Sequence, residues 1–367
     1  MKTYCYRLYP TKKQVTCLKH TLEICRWVYN NALAIRKNAW EIENQNVSYF
    51  ETQRQLPIWK REKPELKTVH SQVLQDVTKR VDLAFQSFFR RVKSGSDKAG
   101  YPRFKGYGRY DSITYPQSGF HVKPNQNVLH ASKIGDIPII LHRPLDGEVK
   151  TLTIRRTSTD KWYACFSVEI PDSDRETLSN DRVVGIDVGL TTFCTMSDGT
   201  VVENPRWFRN DEKKLATSQR KLSKLEKGTP KRRKQRKTVA HIHERIANKR
   251  KDFIYKLSNK LSSTYGTIVF EDLNIKNMMK NHCLAKSIGD AAWSLLISTT
   301  VNKAEEAGCT VVLVNPKHTS QICSQCGQLV KKTLSDRIHN CLHCGLSMNR
   351  DLNASINIMR LGLQSLG

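Results

Sequence analysis

Cys323-x-x-Cys326, fourteen residues and then Cys341-x-x-Cys344 set out two dithiol pairs. This is the spacing at which four thiolates close around one tetrahedral zinc ion. Gly327 and Gly345 follow the two pairs, where each knuckle has to turn tightly. A redox dithiol is the competing account, but it needs no matching second pair. Four thiolates leave no open coordination position, so one Zn²⁺ is expected here in a structural role. The nearby His318 and His343 are expected at the surface.

Three carboxylates carry the second kind of chemistry. Asp187 lies inside a strand-like apolar run between Gly185 and Gly189, where a charge is expensive unless a cation compensates it. Glu271 ends the strand TIVFE, and Asp351 opens a helix whose stripe reads Leu352, Ile356, Met359 and Leu363. Each alone has a plain account: an acid near a turn, an acid at a strand end beside Asp272, and a helix cap. Taken together they are what two-metal phosphodiester hydrolysis requires. Acids from remote segments converge on a sheet edge to hold two Mg²⁺ ions about 3.5 to 4 Å apart.

The elements that must position these groups can be read from periodicity. MKTYCYRLYP alternates as a half-buried strand, and residues 12 to about 45 switch to helical spacing through Val15, Leu18, Leu22, Cys25, Val28 or Tyr29, and Ala32. A second stripe, Val69, Val73, Val77, Val81, Ala84 and Phe88, predicts a partner helix packed antiparallel to the first. Short β-like runs between 120 and 171 predict a small barrel or sandwich, which the N-terminal strand can join. VVGIDVGLTTFCTMSDGTVV, at 183 to 202, opens a second domain with strands turning at Ser197-Asp198-Gly199. Further on come the strand TIVFE, an amphipathic helix stopped at Gly308, and the strand TVVLVN.

Charge points to the partner. The 367 residues hold 61 Lys and Arg against 34 Asp and Glu, a formal +27 that repels itself unless a polyanion neutralises it. Between Lys213 and Lys260 there are 18 basic residues and three acids, densest at KGTPKRRKQRK, so Lys231, Arg232, Arg233 and Lys234 are candidate phosphate contacts. In the Gly/Pro-rich segment from 95 to 120, Tyr101, Arg103, Phe104, Lys105, Tyr107, Arg109 and Tyr110 interleave rings with cations. Cations suit phosphates and ring faces suit unstacked bases. An irregular surface loop is the plain alternative for that segment, and a solvated helical hairpin for the basic run. No uninterrupted apolar stretch approaches the roughly 20 residues of a membrane span. No secretory signal opens the chain, and seven single cysteines read as reduced core thiols, so an intracellular protein without a membrane partner is expected.

GIDVGLTT, IVFEDLNIKNM, HTSQICSQCG with CLHCG, and NRDLNASINI stand in the order seen in the transposon-encoded TnpB proteins. YRLYPTKKQ and PRFKGYGRYDSITYP resemble that family as well, so the likeness covers nearly the whole chain. Asn349 departs from it, since many relatives carry an acid there; Asp351 remains the aligned third carboxylate. The resemblance implies an α/β multidomain protein with a ribonuclease-H-like RuvC nuclease domain, residues 181–317 and 347–367, interrupted by a zinc ribbon, 318–346. A basic helical hairpin, 211–260, belongs to the nuclease domain. A wedge β-barrel, 1–10 and 95–180, would carry a helical recognition insertion, 11–94. The activity implied is RNA-guided cleavage of DNA beside a short flanking motif, with Asp187 bridging both Mg²⁺ ions and Glu271 and Asp351 completing their shells. Guide RNA and target DNA are the implied partners of a single protein copy in the cytoplasm, at the nucleoid through DNA. A non-catalytic nucleic-acid-binding regulator and an actin-like-fold ATPase are the alternatives. No second Gly-rich phosphate loop supports the ATPase.

Overall fold

A computed structural model of the chain describes residues 1–95, 99–170, 180–333 and 336–366, and divides into two units, Met1–Ser173 and Asp174–Gly367. The first unit runs β1 (Lys2–Leu8), α1 (Lys12–Glu43), α2 (Tyr49–Glu62), α3 (Ser71–Lys93), β2 (Ser112–Tyr115), β3 (Phe120–Lys123), β4 (Val128–Ala131), β5 (Gly135–Ile140), β6 (Glu148–Arg156) and β7 (Trp162–Glu169). Its seven strands form one antiparallel sheet in the order β2-β6-β7-β1-β5-β4-β3, so the N-terminal strand does join the later ones, at the centre. The two edge strands are neighbours in sequence. Tyr115 at the end of β2 and Phe120 at the start of β3 bring their rings to 6.3 Å, so the sheet rolls until its edges nearly meet.

Thr11 starts α1 with a reciprocal cap: its hydroxyl accepts from the Gln14 amide at 3.3 Å while the Gln14 side chain accepts from the Thr11 amide at 2.9 Å. The helix buries Leu18, Leu22, Cys25, Val28 and Ala32, as its period requires. On α3 the buried stripe ends at Phe85 rather than at Ala84 and Phe88. Helix α2 carries no clean periodicity and contains Pro57, which concealed it, yet Leu56 and Trp59 seat it in the core. The single cysteines are not uniformly core thiols: Cys25 and Cys194 are buried, while Cys5 and Cys283 are exposed. Cys5 alternates out of β1 as Tyr4 and Tyr6 alternate in.

The second unit continues with β8 (Val183–Val188), β9 (Thr192–Met196), β10 (Val201–Glu203), α4 (Trp207–Ser223), α5 (Pro230–Thr264), β11 (Thr267–Glu271), α6 (Ile275–Met278), α7 (Ala285–Ala291), α8 (Trp293–Ala307), β12 (Thr310–Val314), β13 (Ile338–Asn340), β14 (Ser347–Asn349) and α9 (Arg350–Leu366). Its main sheet is ordered β10-β9-β8-β11-β12, antiparallel from β10 to β8 and parallel from β8 to β12. One face carries Val184, Ile186, Ile268 and Phe270 into a core with Ile254 and Leu261 of α5 and Trp293 and Leu296 of α8. The other face belongs to α9. A Cβ placed on Gly185 would collide with the Ser355 carbonyl and the Met359 amide, and one on Gly362 would collide with the Val269 side chain.

Backbone-to-backbone seating of this kind explains why the expected apolar stripe of α9 is not its buried face. Ala354, Ser355, Ile358 and Gly362 are buried instead, and Leu363 is exposed; the small Ala354, Ser355 and Gly362 permit so close an approach. Two glycine substitutions should therefore have opposite signs in thermal or denaturant unfolding. Gly185→Ala should destabilise the protein by about 3 kcal/mol or more through overpacking against helix backbone. Gly289→Ala, inside α7 with only Met279 Cε near a new Cβ, should stabilise it by about 0.5 to 1 kcal/mol.

Candidate functional site

Parallel pairing of β8 with β11 sets Ile186 against Phe270, so the next residues in register, Asp187 and Glu271, lie side by side. Strand alternation puts Asp187 on the same face as Gly185, and Glu271 on the same face as Val269, which is the face covered by α9. Asp351 stands in the first turn of that helix. Three segments far apart in sequence thus deliver carboxylates to one end of one sheet face. Loss of water pushes the Asp187 carboxyl well above its usual range, and the charges of Glu271 and Asp351 push it further. Burial raises Glu271 as well, against a hydrogen bond from Thr319 Oγ1 at 2.5 Å.

The parts played by two residues beside these acids are not evident from the sequence. Arg350 pairs with Asp351 at 3.5 Å and lowers the Asp187 carboxyl, so the chain supplies one cation of its own. Asn349, the family departure, accepts the amides of Asp351 and Leu352 at 2.8 and 3.2 Å through its side chain. Asn349 is therefore the cap of α9, and Asp351 lies inside the helix rather than capping it. The signal for Arg350 is only its adjacency to Asp351, which carries no meaning until the helix direction is known.

The four cysteine Sγ atoms lie within 4.8 Å of one another, with Cys323 to Cys344 and Cys326 to Cys341 each at 3.6 Å. A tetrahedron with Zn–S bonds of about 2.3 Å has edges of about 3.8 Å, so the spacing fits zinc, whereas a disulfide would need about 2.05 Å. The Cys344 amide points at the Cys341 sulfur and brings its thiol down to about 6, which makes a thiolate available at neutral pH. His318 and His343 are exposed and outside the cluster, as expected. Among the described residues this is the one tight group of metal-ligating side chains; the three carboxylates form no such single-ion cluster.

The basic candidates divide. Lys231, Arg233 and Lys234 are exposed on the first turns of α5. Arg232 turns inward and donates Nη1 to the carbonyls of Leu222 and Leu225 at 2.7 and 2.5 Å, so it closes the C-terminus of α4 instead of facing solvent. The hairpin is fastened at its base by buried Asp290, which accepts the Phe208 amide at 3.0 Å and Arg250 Nη2 at 2.9 Å. In the first unit, Arg103, Phe104 and Arg109 are exposed, and so is Tyr107, at 86%. Tyr101 packs edge-on against Phe85 and Phe88 at 5.5 and 5.2 Å, and Lys105 lies over the Tyr29 ring at 5.4 Å, so these two anchor the loop. Asn30 of α1 grips the Lys105 backbone from both sides, at 2.8 and 3.0 Å.

Three family profiles match the chain: "Helix-turn-helix domain" over residues 1–45, "Probable transposase" over 165–282, and "Cas12f1-like, TNB domain" over 293–358. A Streptomyces pristinaespiralis protein named "Putative RNA-guided DNA endonuclease" is 35% identical over 99% of this chain and 89% of its own length. An Escherichia coli K12 protein of the same description, InsQ, is 31% identical over 99% of this chain and 92% of its own. In fold, the chain resembles the protein in a Cas12f1–sgRNA–target DNA complex, with a TM-score of 0.59 at 15% identity over 95% of this chain and 83% of that one. With relatives this similar along almost its whole length, the chain belongs to the TnpB family of transposon-encoded RNA-guided DNA endonucleases.

Proposed function

We propose that this chain is a guide-RNA-directed endonuclease that cuts DNA beside a short flanking motif, using a RuvC-type, ribonuclease-H-like site of Asp187, Glu271 and Asp351. The observation that carries the reading is the gathering of these acids on one end of the α9-covered sheet face, where Asp187 feels both other charges. An all-carboxylate, hard-oxygen donor set suits Mg²⁺, and crowded buried acids call for cationic compensation. Three acids delivered by separate elements to one end of one sheet face suit a pair of ions. When bound, two such ions supply Lewis-acid stabilisation of the phosphate and of the attacking and leaving oxygens.

The chain's own groups do the positioning. Asp187, on the central strand β8 that pairs with β11 and packs under α9, would be shared by both ions, and Glu271 and Asp351 would flank it. The ribbon, 318–346, would hold one zinc through Cys323, Cys326, Cys341 and Cys344 and leave the chemistry to the carboxylates. Sheet β1–β7 is read as the wedge domain and α1 to α3 as its recognition helices. Lys231, Arg233 and Lys234, with Arg103, Phe104 and Arg109, would contact phosphates and unstacked bases. Such contacts carry no sequence code, and a four-cysteine ribbon is not a base-reading finger, so base pairing by the RNA would choose the site.

Alanine at Asp187, Glu271 or Asp351 is expected to lower DNA nicking by roughly a hundredfold or more while leaving RNA and target binding intact, and double variants should be no worse than single ones. A plasmid assay with the protein–RNA complex and Mg²⁺ reads this, and sustained cutting by Glu271→Ala would remove the site assignment. Elemental analysis should find about one zinc per chain, lost in Cys326→Ser together with heat stability of the second unit; a zinc-free protein that folds and cuts normally would contradict the ribbon's role. Neutralising Lys231, Arg233 and Lys234 should flatten the salt dependence of nucleic-acid binding by up to ~0.9 per lost phosphate contact on duplex DNA, without moving the cut site. Arg232→Ala should instead lower melting temperature, since it uncaps α4; equal salt effects in the two variants would refute that division.

A further inference from the structure

Thr319 lies just before the first zinc ligand, and it is buried. Its hydroxyl has one proton and two acceptors in reach, Glu271 Oε1 at 2.5 Å and Pro316 O at 3.2 Å, and the nearer, charged oxygen takes it. The Thr319 carbonyl is itself held, accepting Asn357 Nδ2 of α9 at 2.9 Å. That same amide donates to Ile322 O at 2.7 Å, which also receives Asn353 Nδ2 at 2.8 Å, while Ser324 N donates to Asn353 Oδ1 at 2.9 Å. Ile322 and Ser324 flank Cys323. Asn353 and Asn357 are four apart, so they share one helix face, and both are buried. The helix that carries Asp351 is thus bolted to the zinc knuckle, and the knuckle's lead-in reaches Glu271.

We propose that Thr319 is a positioning residue for the nuclease reaction: it fixes one oxygen of Glu271 so that the other faces the cations, and α9 and the ribbon together fix Thr319. This rests on the nuclease site of Asp187, Glu271 and Asp351. A carboxylate with a free terminal torsion presents either oxygen at any tilt, whereas one pinned at Oε1 presents Oε2 in a single direction. Residues that orient a ligand in this way typically govern metal affinity by about 10- to 100-fold.

The test uses the full-length protein with its RNA, as Thr319→Ser, Thr319→Ala and Thr319→Val. Ser and Ala differ at this position by the hydroxyl alone, so the pair is informative even if Val crowds the site. Ser should keep the wild-type Mg²⁺ requirement. Ala and Val should need about tenfold more Mg²⁺ for half-maximal nicking, and should bind Mn²⁺ about tenfold more weakly by electron paramagnetic resonance before any DNA is added. Zinc content and RNA affinity should be unchanged throughout. If Ala matches Ser in both Mn²⁺ affinity and Mg²⁺ requirement while Glu271→Gln is inactive, Thr319 is only structural and the proposal is overturned. If Glu271→Gln itself cuts normally, the site reading falls and takes the proposal with it.

Discussion

Like charges held together in a partly dry place are the constraint around which the second unit is built. Two carboxylates about 4 Å apart in surroundings of effective dielectric ~20 repel by about 4 kcal/mol. That is a sizeable fraction of the stability of an ordinary domain, about 5 to 15 kcal/mol. Burial, and after it the charges of Glu271 and Asp351, make Asp187 hold its proton more tightly, and Arg350 relieves part of the repulsion. The rest has to be carried by packing that prevents the strands and the helix from parting.

That packing has two parts. Gly185 and Gly362 allow α9 to sit on β8 and β11 at backbone distance, which sets how far Asp351 stands from the strands. Next to it runs a polar seam in which the side-chain amides of Asn353 and Asn357 satisfy the backbone carbonyls of Thr319 and Ile322 and the amide of Ser324. A knuckle whose amides turn in toward the sulfurs leaves neighbouring carbonyls facing outward, and a buried unsatisfied carbonyl costs about 1 to 3 kcal/mol. Asparagine on the covering helix answers that demand where leucine could not. The four-cysteine segment is therefore tied to the α9-covered sheet face through hydrogen bonds, and its position between β12 and α9 in sequence matches this role.

Much of the candidate site is legible in the sequence because its signals are local. Cysteine spacing announces a tetrahedral ligand set without any fold, and an acid at the end of an apolar strand is visible one strand at a time. What stayed hidden depends on which element faces which. Hydrophobic size points to the wrong face of α9, whereas close seating selects Ala354, Ser355 and Gly362. Arg232 sits in a basic run like its neighbours, and only the geometry of the hairpin turns it onto the carbonyls of Leu222 and Leu225 at the end of α4 and just past it. Thr319 looks like any threonine until β11 is placed beside it. The first unit was legible as strands and helices, but the meeting of its two edge strands follows from sheet curvature that no residue pattern states.

Anomalous scattering from Mn²⁺ in crystals of the full-length protein with bound RNA addresses the arrangement most directly, because it locates cations without relying on activity. The account predicts two Mn²⁺ peaks about 3.5 to 4 Å apart, bounded by Asp187, Glu271 and Asp351, together with a separate zinc peak among the four cysteines. A zinc peak at the cysteines with no Mn²⁺ within bonding distance of those three carboxylates would contradict it.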